Sequence, residues 1–155
     1  MVTIRSRGRL PHWEAENAIY FVTFRLADSL PESARRRIQF ERQDIVATAR
    51  TMRRTFSRAE QMRLSQLSRR KIEANLDAGA GACWLAQPGI AKIVLESLKH
   101  FDGVRYRLFA WCVMPNHVHV LFQLFGEHDL ANIVHTWKSF SVKAANVALG
   151  RSGEF

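Results

Sequence analysis

The chain is poor in cysteine. Its two cysteines, Cys83 and Cys112, have no paired spacing, which excludes a disulfide framework and fits a reducing cytosol. It has no apolar run long enough to span a bilayer, and no signal peptide opens it, so a cytoplasmic protein with no membrane partner is expected. Carboxylates are scarce: 14 Asp and Glu face 23 Lys and Arg, giving a net charge of +9 and a pI near 10.5. Such an excess favours polyanions, nucleic acid before anionic membrane; the competing reading is a protein that is basic for no specific reason. Tyrosine occurs only at positions 20 and 106.

What is present describes a globular chain. Apolar residues make up 47% and aromatics 10% of 155 residues, which fits one domain that folds without a disulfide or metal staple. There is no internal repeat, low-complexity segment or linker. The basic charge is concentrated: twelve Arg and Lys lie between Arg35 and Lys71, against Glu41, Asp44 and Glu60. Arginine dominates there, and its planar fork suits phosphate.

The N-terminal "MVTIRSRGRLPHWE" reads as a basic arm leading into a first strand. That strand is "YFVTFRL", where Tyr20, Val22, Phe24 and Leu26 form the better core face and Phe21, Thr23 and Arg25 the other. Two basic helices follow. Pro31 suits the first turn of one, and Ser57 with Glu60 has capping-box spacing for the next. Glycines 79 and 81 break the chain. Pro88 then opens a third helix, with Ile90, Ile93, Val94 and Leu98 at helical spacing. "RYRLFAWCVMPNHVHVLFQL" reads as a β-hairpin turning at Pro115 and Asn116. Its expected register sets Val113 against Val118, Trp111 against Val120 and Phe109 against Phe122. Asp129 caps a last helix that Gly150 stops; its core stripe is expected at Leu130, Ile133, Val134, Trp137, Ala144 and Ala148. The order predicts an α+β, ferredoxin-like antiparallel sheet with helices on one face, plus a basic two-helix insertion after the first strand. A fourth strand is expected after the last helix, where only "RSGEF" stands.

His117 and His119 are the candidate chemical residues. Residues i and i+2 of a strand point the same way, with Cα atoms about 6.6 Å apart at a rise of about 3.3 Å per residue. Two imidazoles so placed can chelate one metal ion; two histidines that merely close a sheet face are the bland alternative. A histidine-triad nucleotide hydrolase needs a third histidine where Leu121 stands. Zinc wants further ligands, of which Cys112, opposite His119, is one candidate. Metal-assisted phosphoryl transfer needs least: two imidazoles and one further group hold the ion that polarises a phosphate oxygen, and imidazole suits manganese better than magnesium.

"WCVMPNHVHVLF" resembles the HUH motif (His, bulky hydrophobic, His) of bacterial single-tyrosine transposases. "LPHW", "YFVTFRLADSLP", "FDGVRYRLFAWCVMPNHVHV", "WKSFSVKAAN" and "GRSGEF" resemble their REP-associated branch, from about Leu10 to Phe155. The resemblance implies cleavage and rejoining of single-stranded DNA beside hairpins of REP-like palindromes. It implies Mg²⁺ or Mn²⁺ held by His117 and His119, and a 5′-phosphotyrosine intermediate that conserves the phosphodiester energy. It places Arg25, Lys138, Lys143 and Arg151 among the expected DNA contacts, with Lys138 near the bound phosphate. A non-catalytic nucleic-acid-binding module is the alternative.

The family's nucleophilic tyrosine sits on a helix beyond "GRSGEF", after a tryptophan-bearing strand, so the 155 residues are expected to be a truncated domain lacking the nucleophile. Tyr20 is expected in the core. Tyr106 is expected on the histidine face, but six residues from Cys112, about 20 Å away at about 3.3 Å per residue. An edge strand without its neighbour is expected to invite self-association.

Overall fold

The computed structural model describes residues 2–6, 11–15, 17–126 and 128–155, without the side chains of 2–15 and 68–71. They form two compact units, one from residues 1–25 with 84–155 and one from residues 26–83.

The first unit holds a three-stranded antiparallel sheet. Strands β3 (Ile19–Arg25), β4 (Tyr106–Val113) and β5 (His117–Leu124) lie in the order β3-β5-β4, so β5 is central. Alternation along β5 separates two faces. Val118, Val120 and Phe122 are completely buried on one side, with Leu124 beside them. Helices α3 (Pro88–Lys99) and α4 (Leu130–Ala148) belong to that side: the Trp137 ring of α4 meets Phe122 at 4.9 Å and Tyr106 at 5.2 Å. The Ser97 hydroxyl ties α3 to α4 by donating to the Trp137 carbonyl at 3.1 Å. The architecture is α+β and ferredoxin-like, as expected. Pro88 does open α3, and the Asp129 carboxylate caps α4 by accepting from the Ala131 and Asn132 amides.

Three details differ from expectation. The hairpin register holds from Val113–Val118 to Trp111–Val120, but a β-bulge then intervenes and Leu108, not Phe109, faces Phe122. One extra residue inverts the alternation beyond it. Tyr106 therefore joins the core face opposite Leu124 instead of the histidine face. The bulge lies on an edge strand, where the ladder on the open side has no partner to disrupt. Along α4 the buried stripe runs through Leu130, Ile133, Trp137, Ser141 and Ala145. It steps by four from Ile133, which leaves Ala144 half-buried and Ala148 exposed. Finally, the backbone of the N-terminal arm pairs with itself: β1 (Val2–Ser6) and β2 (Pro11–Ala15) form an antiparallel ribbon. Leu10, first residue of "LPHW", lies outside the described residues, as do the side chains of His12 and Trp13.

The second unit is the expected two-helix insertion, α1 (Glu32–Thr51) and α2 (Arg58–Asp77). Local chemistry starts and decorates these helices. Pro31 stands at the cap of α1, one residue before its first turn, and Glu32 pairs with Arg35 and Arg36. Ser57 and Glu60 form the reciprocal capping box of α2. Arg54 binds the same Glu60 carboxylate through both guanidinium nitrogens, at 2.7 and 2.8 Å. The Arg54 bonds first, and then those from Ser57, bring the Glu60 carboxyl down to about 2. The ends of the unit meet where the Ala82 amide donates to the Asp28 carboxylate at 2.7 Å. A Cβ on Gly81 would fall 2.9 Å from that carboxylate, so glycine is required for this approach.

Candidate functional site

His117 and His119 leave β5 on the face opposite the core. Their rings meet edge to face at 4.6 Å, and the two Nε2 atoms lie 3.0 Å apart. Each Nδ1 has its own partner. His117 Nδ1 is 2.8 Å from Asn116 Oδ1, and His119 Nδ1 is 2.8 Å from Thr23 Oγ1 on the neighbouring strand. Thr23 is in register with His119. Asn116 comes from the hairpin turn, which the Met114 amide closes by donating to the His117 carbonyl at 2.8 Å.

These contacts fix a proton order. An amide oxygen only accepts, so His117 carries its proton on Nδ1 and presents a lone pair at Nε2. In the metal-free neutral pair, His119 donates from Nε2 to His117, and its own Nδ1 accepts from the Thr23 hydroxyl. A hydroxyl both donates and accepts. Thr23 therefore serves the other His119 tautomer equally well, the one that frees a second Nε2 lone pair.

The donor set fits a divalent ion. Two nitrogens cis on an octahedral ion, each about 2.1 Å from it, are about 3.0 Å apart, which is the separation seen here. Outer-shell hydrogen bonds to both Nδ1 atoms are what metal-ligating imidazoles need to hold their orientation. Among the described residues, no group of three or more His, Cys, Asp or Glu gathers to form a fuller protein cage. Cys112 is in register with His119 as expected, but its thiol lies 3.5 Å from the Met114 sulfur.

Burial is uneven across the pair. His117 is 1% exposed and Asn116 is fully buried, so His117 is not the open side chain that its face assignment led one to expect. His119 is half-buried, and the exposed Phe21 ring lies stacked on it, with centroids 5.4 Å apart and planes at 15°. The pair therefore reaches solvent on the His119 side.

The four expected DNA contacts do not gather in one place. Arg25 pairs with His117 in the strand register and so belongs to the histidine face. Lys138 and Lys143 are exposed on α4, whose Trp137 packs on the other face of the sheet. The structure thus keeps Lys138 away from the imidazole pair. Arg151 is engaged locally: its guanidinium lies 5.7 Å from the Trp84 ring centre and donates to the Glu154 carbonyl at 2.8 Å.

Both tyrosines face away from the histidines. Tyr20 is in register with Phe122, with ring centres 6.0 Å apart, but it is half-buried rather than buried in the core as expected. Tyr106 is wholly buried; its hydroxyl donates to the Leu98 carbonyl and accepts from the Trp137 indole N–H, both at 2.8 Å. Burial is the main cause that pushes its phenol up from the ordinary value near 10.

Sequence reading missed Thr23 and Asn116 as supports of the pair. Thr23 was already visible on the non-core face of its strand. What linked it to His119 was the pairing of strands 96 residues apart, which nothing local encodes.

Residues 89–150 match the model of the family described as "Transposase IS200 like". The match runs from the start of α3 to the end of α4 and includes both histidines. It is narrower than the Leu10–Phe155 resemblance and covers less than half of the chain. No curated protein and no solved structure matches the chain. No helix among the described residues is long and apolar enough to cross a membrane.

Proposed function

We propose that the chain is a REP-associated, HUH-type member of the transposase family, binding hairpin-containing single-stranded DNA at His117 and His119 with Mg²⁺ or Mn²⁺. The observation that carries this reading is the 3.0 Å approach of the two Nε2 atoms, each ring anchored at Nδ1, inside the segment that matches the transposase model. His117 and His119 would hold the ion, which when bound supplies Lewis-acid polarisation of a phosphate oxygen. Asn116 keeps the His117 lone pair aimed toward His119 Nε2, and Thr23 adapts to either His119 tautomer. Arg25 contributes charge on the same face. The two-helix unit is an arginine-rich insertion within one transposase-like domain, and its arginines add phosphate contacts.

Calorimetry with Mn²⁺ tests this directly. His117→Ala should abolish binding while the protein stays folded. Thr23→Val should weaken it by roughly 10- to 100-fold, the usual loss when an outer-shell partner is removed. Unchanged Mn²⁺ affinity in His117→Ala would overturn the metal reading. DNA affinity should fall steeply with salt and favour hairpin-flanked single strands over random duplex. Equal affinity for both at matched salt would count against the DNA reading.

A second reading, for residues 1–155 taken by themselves, is a non-catalytic nucleic-acid-binding module, and the position of their two tyrosines supports it. Tyr20 and Tyr106 both belong to the core face, so neither can attack a phosphate held at the histidines. The 155-residue polypeptide should form no SDS-stable adduct with hairpin-flanked single-stranded DNA in Mn²⁺. An adduct would reinstate a nucleophile within it. Edge strands β3 and β4 offer backbone for pairing with a second copy, which sedimentation would register as a dimer.

A further inference from the structure

We propose that Phe21 is a stacking platform for one unpaired nucleobase, next to the phosphate held at the histidine pair; the proposal rests on the nucleic-acid reading above. Phe21 is 65% exposed, unusual for a phenylalanine in the middle of a strand. One side of its ring is taken by His119, stacked nearly parallel at 5.4 Å. Its exposure leaves room for a further ring on the side away from His119. A base seated there would extend a column of base, phenyl and imidazole. It would sit one aromatic layer from the nitrogen that faces His117.

The surroundings select a nucleic acid over other occupants of an apolar face. Ile19 is 61% exposed two residues away, so the patch suits a flat apolar ring. Arg25 marks the histidine end of this face and Arg107, opposite Gln123, the other end. None of the three strands contains an Asp or Glu. An aromatic patch bounded by cationic positions, on strands that carry no carboxylate of their own, complements a strand of bases on a phosphate backbone. Phenylalanine has no polar edge with which to read a base, so the platform sets position more than sequence. It also requires an unpaired base, because a base within a duplex has both faces already stacked.

The test uses the full chain and short single-stranded oligonucleotides carrying 2-aminopurine at successive positions, in Mg²⁺. Wild type should quench the fluorophore at one position only. Phe21→Leu, which keeps the apolar bulk but removes the π face, should abolish that quench and weaken single-strand binding on the order of tenfold, the loss of one base–aromatic stack. Phe21→Trp should restore both, and duplex affinity should stay level throughout. Quenching by Phe21→Leu equal to wild type would overturn the proposal. So would a loss of DNA binding that tracks the breakup of a dimer in sedimentation, since the face would then belong to a second copy. Mn²⁺ calorimetry on the same proteins separates the two readings. If His117→Ala still binds Mn²⁺ while Phe21→Leu loses its quench, the metal assignment fails and the platform stands; the reverse pair of results rejects the platform alone.

Discussion

The two faces of the sheet are made by the same three strands and have opposite characters. On the core face of β5, Val118, Val120 and Phe122 are completely buried, closed over by Trp137 and Tyr106. On the other face the same strand sets out His117, His119, Leu121 and Gln123, beside the exposed Phe21 and Ile19 of β3. Polar atoms are handled differently too. The core face spends its polar groups on fixed tertiary bonds, such as Tyr106 to Leu98 and Trp137. On the open face two imidazole Nε2 atoms lie 3.0 Å apart. One face thus holds the fold, and the other carries the imidazole pair. The two Cβ directions of a single strand are enough to separate these tasks.

Mutation should expose that division. The largest loss is expected from Trp137→Ala, which removes the ring that closes the core and should cost about 3–5 kcal/mol in denaturant unfolding. Tyr106→Phe comes next. It keeps the ring but strands the buried Trp137 N–H and the Leu98 carbonyl, at about 1–3 kcal/mol. It should also change the pH profile. A phenol raised above its unfolded value stabilises fully below about pH 10, and that contribution is lost as pH rises through the folded-state value; Tyr106→Phe should flatten this alkaline loss in pH-dependent melting. On the open face, Phe21→Ala should change stability by no more than about 0.5 kcal/mol. A large destabilisation there would mean that the two faces are not divided as described.

Much of this was legible in the residues. The hairpin and its first two cross-strand pairs followed from the six apolar residues that share a face. The capping box at Ser57, the Pro88 start and the Asp129 cap are local chemistry, and local chemistry is written in adjacent positions. Phe109 shows where that reading fails. Strict alternation carried it into register with Phe122 and put Tyr106 on the histidine face. A bulge changes the phase without changing composition, so no pattern of apolar residues announces it. The burial of His117 was equally invisible, because period two assigns a face but not what closes over it.

The sequence alone determined the alternation that aims His117 and His119 to one side of a strand, the arginine-rich helices, and the stops and starts between elements. Each depends on neighbours within a few residues. Tertiary structure decided that Thr23 meets His119, that Tyr106 turns into the core, that Lys138 lies across the sheet from the imidazoles, and that Phe21 stacks beside them. Those outcomes depend on strand pairing and helix packing between distant segments, where one residue of register inverts a face.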